Sequence, residues 1–225
     1  MNLFSKKNVK KYDKMYKGGH DHSYPNLDLV RILSNYIDPK NSNILDYGFG
    51  SGQNLIHITK LGFKEIHGLE PSKEAIKLVK KKIKNIKKVK IILKQLFLNE
   101  NKLPYSSGSF DNIVCTSVLS LLEKKDKVKF LIKEFHRILK KNGKLVIDVN
   151  GPKSDLRKGK LISFEKERKK DKKIKKKQKI KTFYSKNLNN FSKLFHDFYV
   201  DELGEVKFKY FSFNEHEFIA CLRKK

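Results

Sequence analysis

The chain has 225 residues, with 52 Lys or Arg against 24 Asp or Glu and a formal charge of +28. That length buries a core unaided, and 16 Phe with 9 Tyr argue against a disordered chain. The two cysteines, Cys115 and Cys221, stand in neither a metal-type nor a redox-type spacing, which excludes a disulfide scaffold and fits a reducing compartment.

Residues 1–23 are basic and polar, rich in Tyr and Gly, and end in Gly18-Gly19-His20-Asp21-His22. They read as an N-terminal arm or lid outside the core, without the apolar run of a secretory leader. A helical pattern follows Tyr24-Pro25 through Leu27, Val30, Leu33 and Ile37 and stops at Asp38-Pro39. Strand one is Asn43 to Asp46, and a turn of alternate glycines, Gly48, Gly50 and Gly52, leads to a helix over Asn54–Leu61. Glycines at a strand end take positive φ and let a ligand approach the backbone. Strand two, Glu65 to Leu69, ends at Glu70-Pro71, and Ser72 caps a helix reaching Ile83. An acid at that strand tip is placed to accept from a ribose hydroxyl.

Val89–Leu93 and Phe110–Thr116 are the next strands, Lys125–Leu139 is a long amphipathic helix, and Lys144–Val149 is strand five. Strands alternating with helices of this length call for a parallel sheet covered on both faces. Residues 151–181 break the rhythm as a basic insertion, densest from Glu165 to Lys181. A helical pattern resumes over Thr182–Asp197, and Glu205–Tyr210 with Glu217–Leu222 read as a closing antiparallel hairpin. The fold expected is α/β and Rossmann-like, a seven-stranded, mostly parallel sheet in one domain spanning 1–225. No apolar run reaches the roughly 18 residues of a spanning helix, so no membrane insertion is expected and the cytoplasm is the expected compartment. The positive excess is nearly all Lys, with Arg only at 31, 137, 157, 168 and 223. Arg is the residue suited to bidentate phosphate contacts, so a solvated surface outweighs a nucleic-acid partner.

Four blocks stand together over roughly 42–149: Ile44 to Gly52, Gly68 to Ser72, Leu103-Pro104-Tyr105 with Ser109-Phe110-Asp111, and Arg137 to Leu145. In order and spacing they resemble the class I S-adenosylmethionine-dependent methyltransferases of type 11 or 12. The resemblance implies S-adenosylmethionine as cofactor and no metal. Asp46, Gly48, Gly50 and Gly52 would form the turn along the methionyl part, Glu70 would accept from both ribose hydroxyls, and Pro71 or Leu69 would help wall the adenine. Asn99 stands where the family has an Asp that bonds the adenine amino group, with Leu98 or Glu100 as alternatives for that role, and Ser117 follows strand four beside the sulfonium. No family imidazole carries over, because Ser120-Leu121 occupy its usual place. His20, His22 and Tyr24 are therefore the candidate proton acceptors, with Tyr16, Tyr24 and Asn150 as acceptor-binding candidates. The Asn/Asp-Pro-Pro-Tyr block of amino-group methylation is missing after strand four, where Cys115-Thr116-Ser117-Val118 stand. A small metabolite or sugar, a surface glycan among them, methylated at oxygen is the expected acceptor. An RNA or protein acceptor held by the Lys-rich 153–181 segment is the alternative, and a non-catalytic binding descendant a third reading.

Overall fold

A computed structural model of the chain describes residues 3–97, 101–122, 124–155, 182–211 and 213–225. The Lys-rich body of the insertion, residues 156–181, and Leu98, Asn99 and Glu100 lie outside them. Seven strands form one sheet: β1 (Asn43–Tyr47), β2 (Glu65–Glu70), β3 (Lys90–Gln95), β4 (Phe110–Cys115), β5 (Leu139–Asn150), β6 (Phe198–Tyr210) and β7 (Phe213–Lys224). Their order is β3-β2-β1-β4-β5-β7-β6, parallel from β3 to β5 and antiparallel at β7 and β6. The helices are α1 (Lys6–Lys17), α2 (Leu27–Tyr36), α3 (Gln53–Ile58), α4 (Lys73–Ile83), α5 (Lys125–Ile138) and the short α6 (Leu188–Ser192).

Side chains alternate across a strand, so each central strand feeds two cores. Ile44, Ile66, Val114 and Val146 meet Leu29 and Leu33 of α2, Leu55 of α3 and Val79 of α4 on one face. Leu45, Tyr47, Ile113 and Ile147 meet Val128, Leu131 and Phe135 of α5 on the other, with Phe191 and Phe195. The order reverses at β1, whose neighbours β2 and β4 both run parallel to it. At such a switch point the connections leave on opposite faces and open a crevice at the strand ends.

Three expectations need correction. Leu3 and Phe4 are buried in the α5-side core, so the start of the arm is anchored rather than peripheral. Thr182–Asp197 is not one helix: only Leu188–Ser192 is helical, followed by turns that bring Leu194 and Phe195 inward. The closing strands are also about twice as long as their apolar stretches suggested, because the paired register runs from Phe198↔Lys224 to Tyr210↔Phe213.

Candidate active site

The glycine turn is fixed by φ values of +75°, +52° and +84° at Gly48, Gly50 and Gly52. Its amides bind outward as well as inward. Gly48 N–H donates to the Leu69 carbonyl at 2.7 Å, and Gly50 N–H to Glu70 Oε2 at 3.1 Å. Glu70 Oε1 accepts from Ser72 N–H at 2.9 Å, so one carboxylate ties the turn to the start of α4. Burial pushes the Glu70 carboxyl up to about 7, against the two amide bonds that pull it down. Burial, and then the Glu70 charge, raise Asp46 to about 7 as well.

The three glycines do different work. A Cβ on Gly50 would lie 2.8 Å from the Tyr16 hydroxyl, and one on Gly48 would lie 2.5 Å from Val118 Cγ2. Gly52, expected on the cofactor side, faces α4 instead: its Cβ would meet Val79 Cγ2 at 2.5 Å.

The turn opens into a cavity of about 450 Å³, within the range of roughly 300–1,000 Å³ usual for small-ligand sites. Gly48, Gly50, Glu70, Pro71 and Ser117 line it on one side. Tyr16, His20, His22 and Tyr24 line it from the arm, although Tyr24 is largely exposed. Asn150 does not line it. That residue is buried at the end of β5, where its N–H donates to Ser120 Oγ at 2.9 Å and its carbonyl accepts from Ser185 N–H at 3.1 Å. Asp46 lies one layer behind the turn, fully buried, with Oδ2 unpartnered.

The arm is held over this opening by polar contacts. Asp13 Oδ1 accepts from Ser72 Oγ at 2.6 Å, and Lys82 pairs with Asp21 while donating to the Ser51 carbonyl at 3.0 Å. His22 N–H donates to Ser51 Oγ at 3.1 Å, and Asn26 N–H to Asn54 Oδ1 at 2.9 Å. Tyr12 stacks 6.3 Å from Tyr16, Tyr16 lies 6.1 Å from His20, and the His20 and His22 rings meet edge-on at 4.6 Å. Burial, and then His20, hold the His22 imidazole below its ordinary value.

Ser117 sits at φ +59°, a conformation a non-glycine residue keeps only when its surroundings impose it. Here Asp148 Oδ1 accepts the Ser117 N–H at 2.7 Å. Tyr12 and Glu215 also line the cavity and were missed. Tyr12 and Tyr16 stand four residues apart, a helical-face signal present in the sequence. Glu215 carries no such signal, because only the pairing of β7 with β5 brings it here.

Residues 45–147 match the family of the methyltransferase domain. YqeM of Bacillus subtilis, named as a methyltransferase, is 30% identical over 115 residues, 50% of this chain and 44% of that one. The chain spans less than half the length of the curated relatives it matches. A SAM-dependent methyltransferase from Methanosarcina mazei shares the fold at TM-score 0.67 and 20% identity, covering 91% of this chain and 99% of its own. The N-methyltransferase NodS from Bradyrhizobium japonicum, solved with S-adenosyl-L-homocysteine, does so at TM-score 0.62 and 17% identity, over 88% and 84%. Residues 45–147 thus read as a methyltransferase domain, within the fold of solved enzymes that depend on S-adenosylmethionine. The site suits that cofactor on its own terms. It offers a carboxylate at the β2 tip for hydroxyl donors, a turn without side chains at Gly50, and an unpartnered buried carboxylate oxygen behind it.

Proposed function

We propose that the protein transfers a methyl group from S-adenosylmethionine to a hydroxyl of a small metabolite or sugar. The observation carrying this reading is that one cavity joins the glycine turn and Glu70 to the aromatic and imidazole face of the arm. A covered cavity of this size suits a small acceptor better than a folded macromolecule. The cofactor supplies a methyl carbon already activated by positively charged sulfur. What remains for the protein is alignment, exclusion of water and removal of a proton.

Glu70 is the ribose acceptor in this reading, because its two oxygens keep lone pairs beyond those used by Gly50 and Ser72. Pro71 would border the adenine, and Gly48, Gly50 and Ser117, which line the same cavity, would border the methionyl end. Bound there, the cofactor would supply the methyl group and keep the electron pair of the carbon–sulfur bond on its sulfur. The acceptor oxygen forms the new bond and gives its proton to an arm imidazole, His20 or His22. The depressed His22 favours a neutral ring able to receive it. Tyr16 and Tyr24 flank the acceptor.

The test is incubation of cell extract with methyl-labelled donor and enzyme, followed by separation into small-molecule, glycan, RNA and protein pools. Label in small molecules or glycans is expected, and His20→Ala with His22→Ala should remove it while S-adenosylhomocysteine still binds. Label confined to RNA or protein would overturn the acceptor class.

A further inference from the structure

We propose that the acceptor carries a positively charged nitrogen, held by Glu215 of β7 at the end of the cavity remote from Glu70. The inference rests on the small-acceptor reading and narrows it.

Topology sets the two ends apart. Glu70 closes β2 and Glu215 begins β7, with β1, β4 and β5 between them in the sheet. Because β7 runs antiparallel to β5, its beginning lies at the edge where β5 ends: Glu217 pairs with Asn150, and Glu215 is two residues further toward the loops. Glu215 thus reaches the cavity from the side opposite the ribose carboxylate, beyond Thr116 and Ser117 at the end of β4.

This wall is acidic within a chain of net charge +28. Glu217 follows Glu215 on the same face of β7, and Asp148 lies on that face of β5, where its partner is Ile219. Asp28 stands in the first turn of α2, packed over the same sheet face. Arg31 pairs with Asp28 from a solvent-exposed position, but among the described residues no Lys or Arg ion pair reaches Glu215, Glu217 or Asp148. Asp148 is fully buried and its Oδ2 is unpartnered, while Oδ1 is taken by Ser117, itself a cavity residue. Burial raises the Glu217 carboxyl well above its ordinary value, and Asp148, Glu215 and Asp28 raise it further. Burial, then Asp28, raise Glu215 in the same direction.

Carboxylates crowded together out of water lack a counter-charge, and a cation among them lowers the cost of their ionisation. No group of three or more His, Cys, Asp or Glu among the described residues is arranged to hold a metal ion. An organic ammonium entering the cavity fits the requirement, since it can donate to the one member of the group that lines the cavity. In a hydroxylated acceptor the nitrogen at Glu215 would be the anchor, leaving the hydroxyl to face the methyl and the arm imidazoles.

The small-molecule pool labelled by the enzyme is passed over a cation exchanger at mildly acidic pH, with a reaction lacking enzyme to mark the unreacted donor, itself cationic. Labelled product is expected in the retained fraction. At limiting acceptor, Glu215→Gln should lower that label at least about tenfold, the loss expected when a charged hydrogen bond is removed. S-Adenosylhomocysteine affinity, measured by titration, should stay within about twofold and reports that the variant is folded. Glu215→Asp, which keeps the charge, should restore part of the label. Label in the unretained fraction, or a retained label that Glu215→Gln does not reduce, overturns this inference alone. Label only in macromolecules, or none from protein that binds S-adenosylhomocysteine, overturns the small-acceptor reading with it.

Discussion

At the residue scale, Gly50 and Gly52 have the same spacing signal and opposite surroundings. Gly50 backs onto the Tyr16 hydroxyl at the cavity, while Gly52 backs onto Val79 in the core. Gly52→Ala combines a left-handed backbone for a residue with Cβ and an overpacked contact, a cost of about 2–4 kcal/mol. A lowered Tm and denaturation midpoint are therefore expected. Gly50→Ala pays the backbone cost but can displace a terminal hydroxyl of the arm, so S-adenosylhomocysteine affinity should fall more than stability. Chemical denaturation beside ligand titration separates the two, and equal stability losses would sink the division of labour. The sequence made the turn legible because β-branched residues followed by alternate glycines admit few conformations. It did not say which glycine faced the ligand, since that depends on α4 and α1 packing from far along the chain.

At the element scale, the informative piece is α1. None of its residues is buried, yet it lies over the mouth of the cavity, pinned by Asp13 to Ser72 and Glu74 and followed by the Asp21–Lys82 pair. Leu3 and Phe4 anchor its leading end in the α5-side core. Such a helix has low local stability, because polar contacts at its rim contribute only about 1 kcal/mol each. Asp13→Ala with Asp21→Ala should leave Tm nearly unchanged but speed hydrogen exchange across Lys6–Lys17 about tenfold, with faster release of S-adenosylhomocysteine. Wild-type exchange rates in α1 would show that the helix is held by something else. Similar reasoning explains the helix wrongly expected at Thr182–Asp197. Leu188, Phe191, Leu194 and Phe195 repeat with helical spacing, but the short α6 and the turns after it supply the same inward positions. Apolar spacing reports which residues go inside, and a β-strand starting at Phe198 was free to follow only because β7 offered a long partner.

At the scale of the whole molecule, the charge divides into a cationic exterior and a cluster of carboxyls kept from water. Burial holds Asp46, Glu70 and Asp148 at about 7, and raises Glu215 and Glu217 too. A carboxyl raised in the folded state contributes stability that is complete below its ordinary value and lost as pH rises through the folded value. Histidines act the other way: burial lowers His22, His57, His67 and His136, whose contribution is complete above about 6.5 and lost at lower pH. From pH 6.5 upward those four histidines are at least half neutral in both states and their opposing contribution fades, while the buried carboxyls give up protons. The ligand-free protein should therefore lose stability as pH rises from 6.5 through 7 and level off near 8, with a slope of up to about 1.4 kcal/mol per pH unit for each proton released. Hydroxyl donors on the ribose of S-adenosylhomocysteine favour ionised Glu70, so its affinity should tighten over the same interval and its presence should flatten the fall in Tm. Glu70→Gln removes one of the titrating groups and the charge that raises Asp46, so both pH dependences should shrink in that variant. Thermal melts at several pH values, with and without ligand, decide the matter. A ligand-free Tm that climbs from pH 6.5 to 8 would mean that the buried carboxyls are already ionised and compensated, and the same result would remove the shortage of positive charge from which a cationic acceptor was inferred.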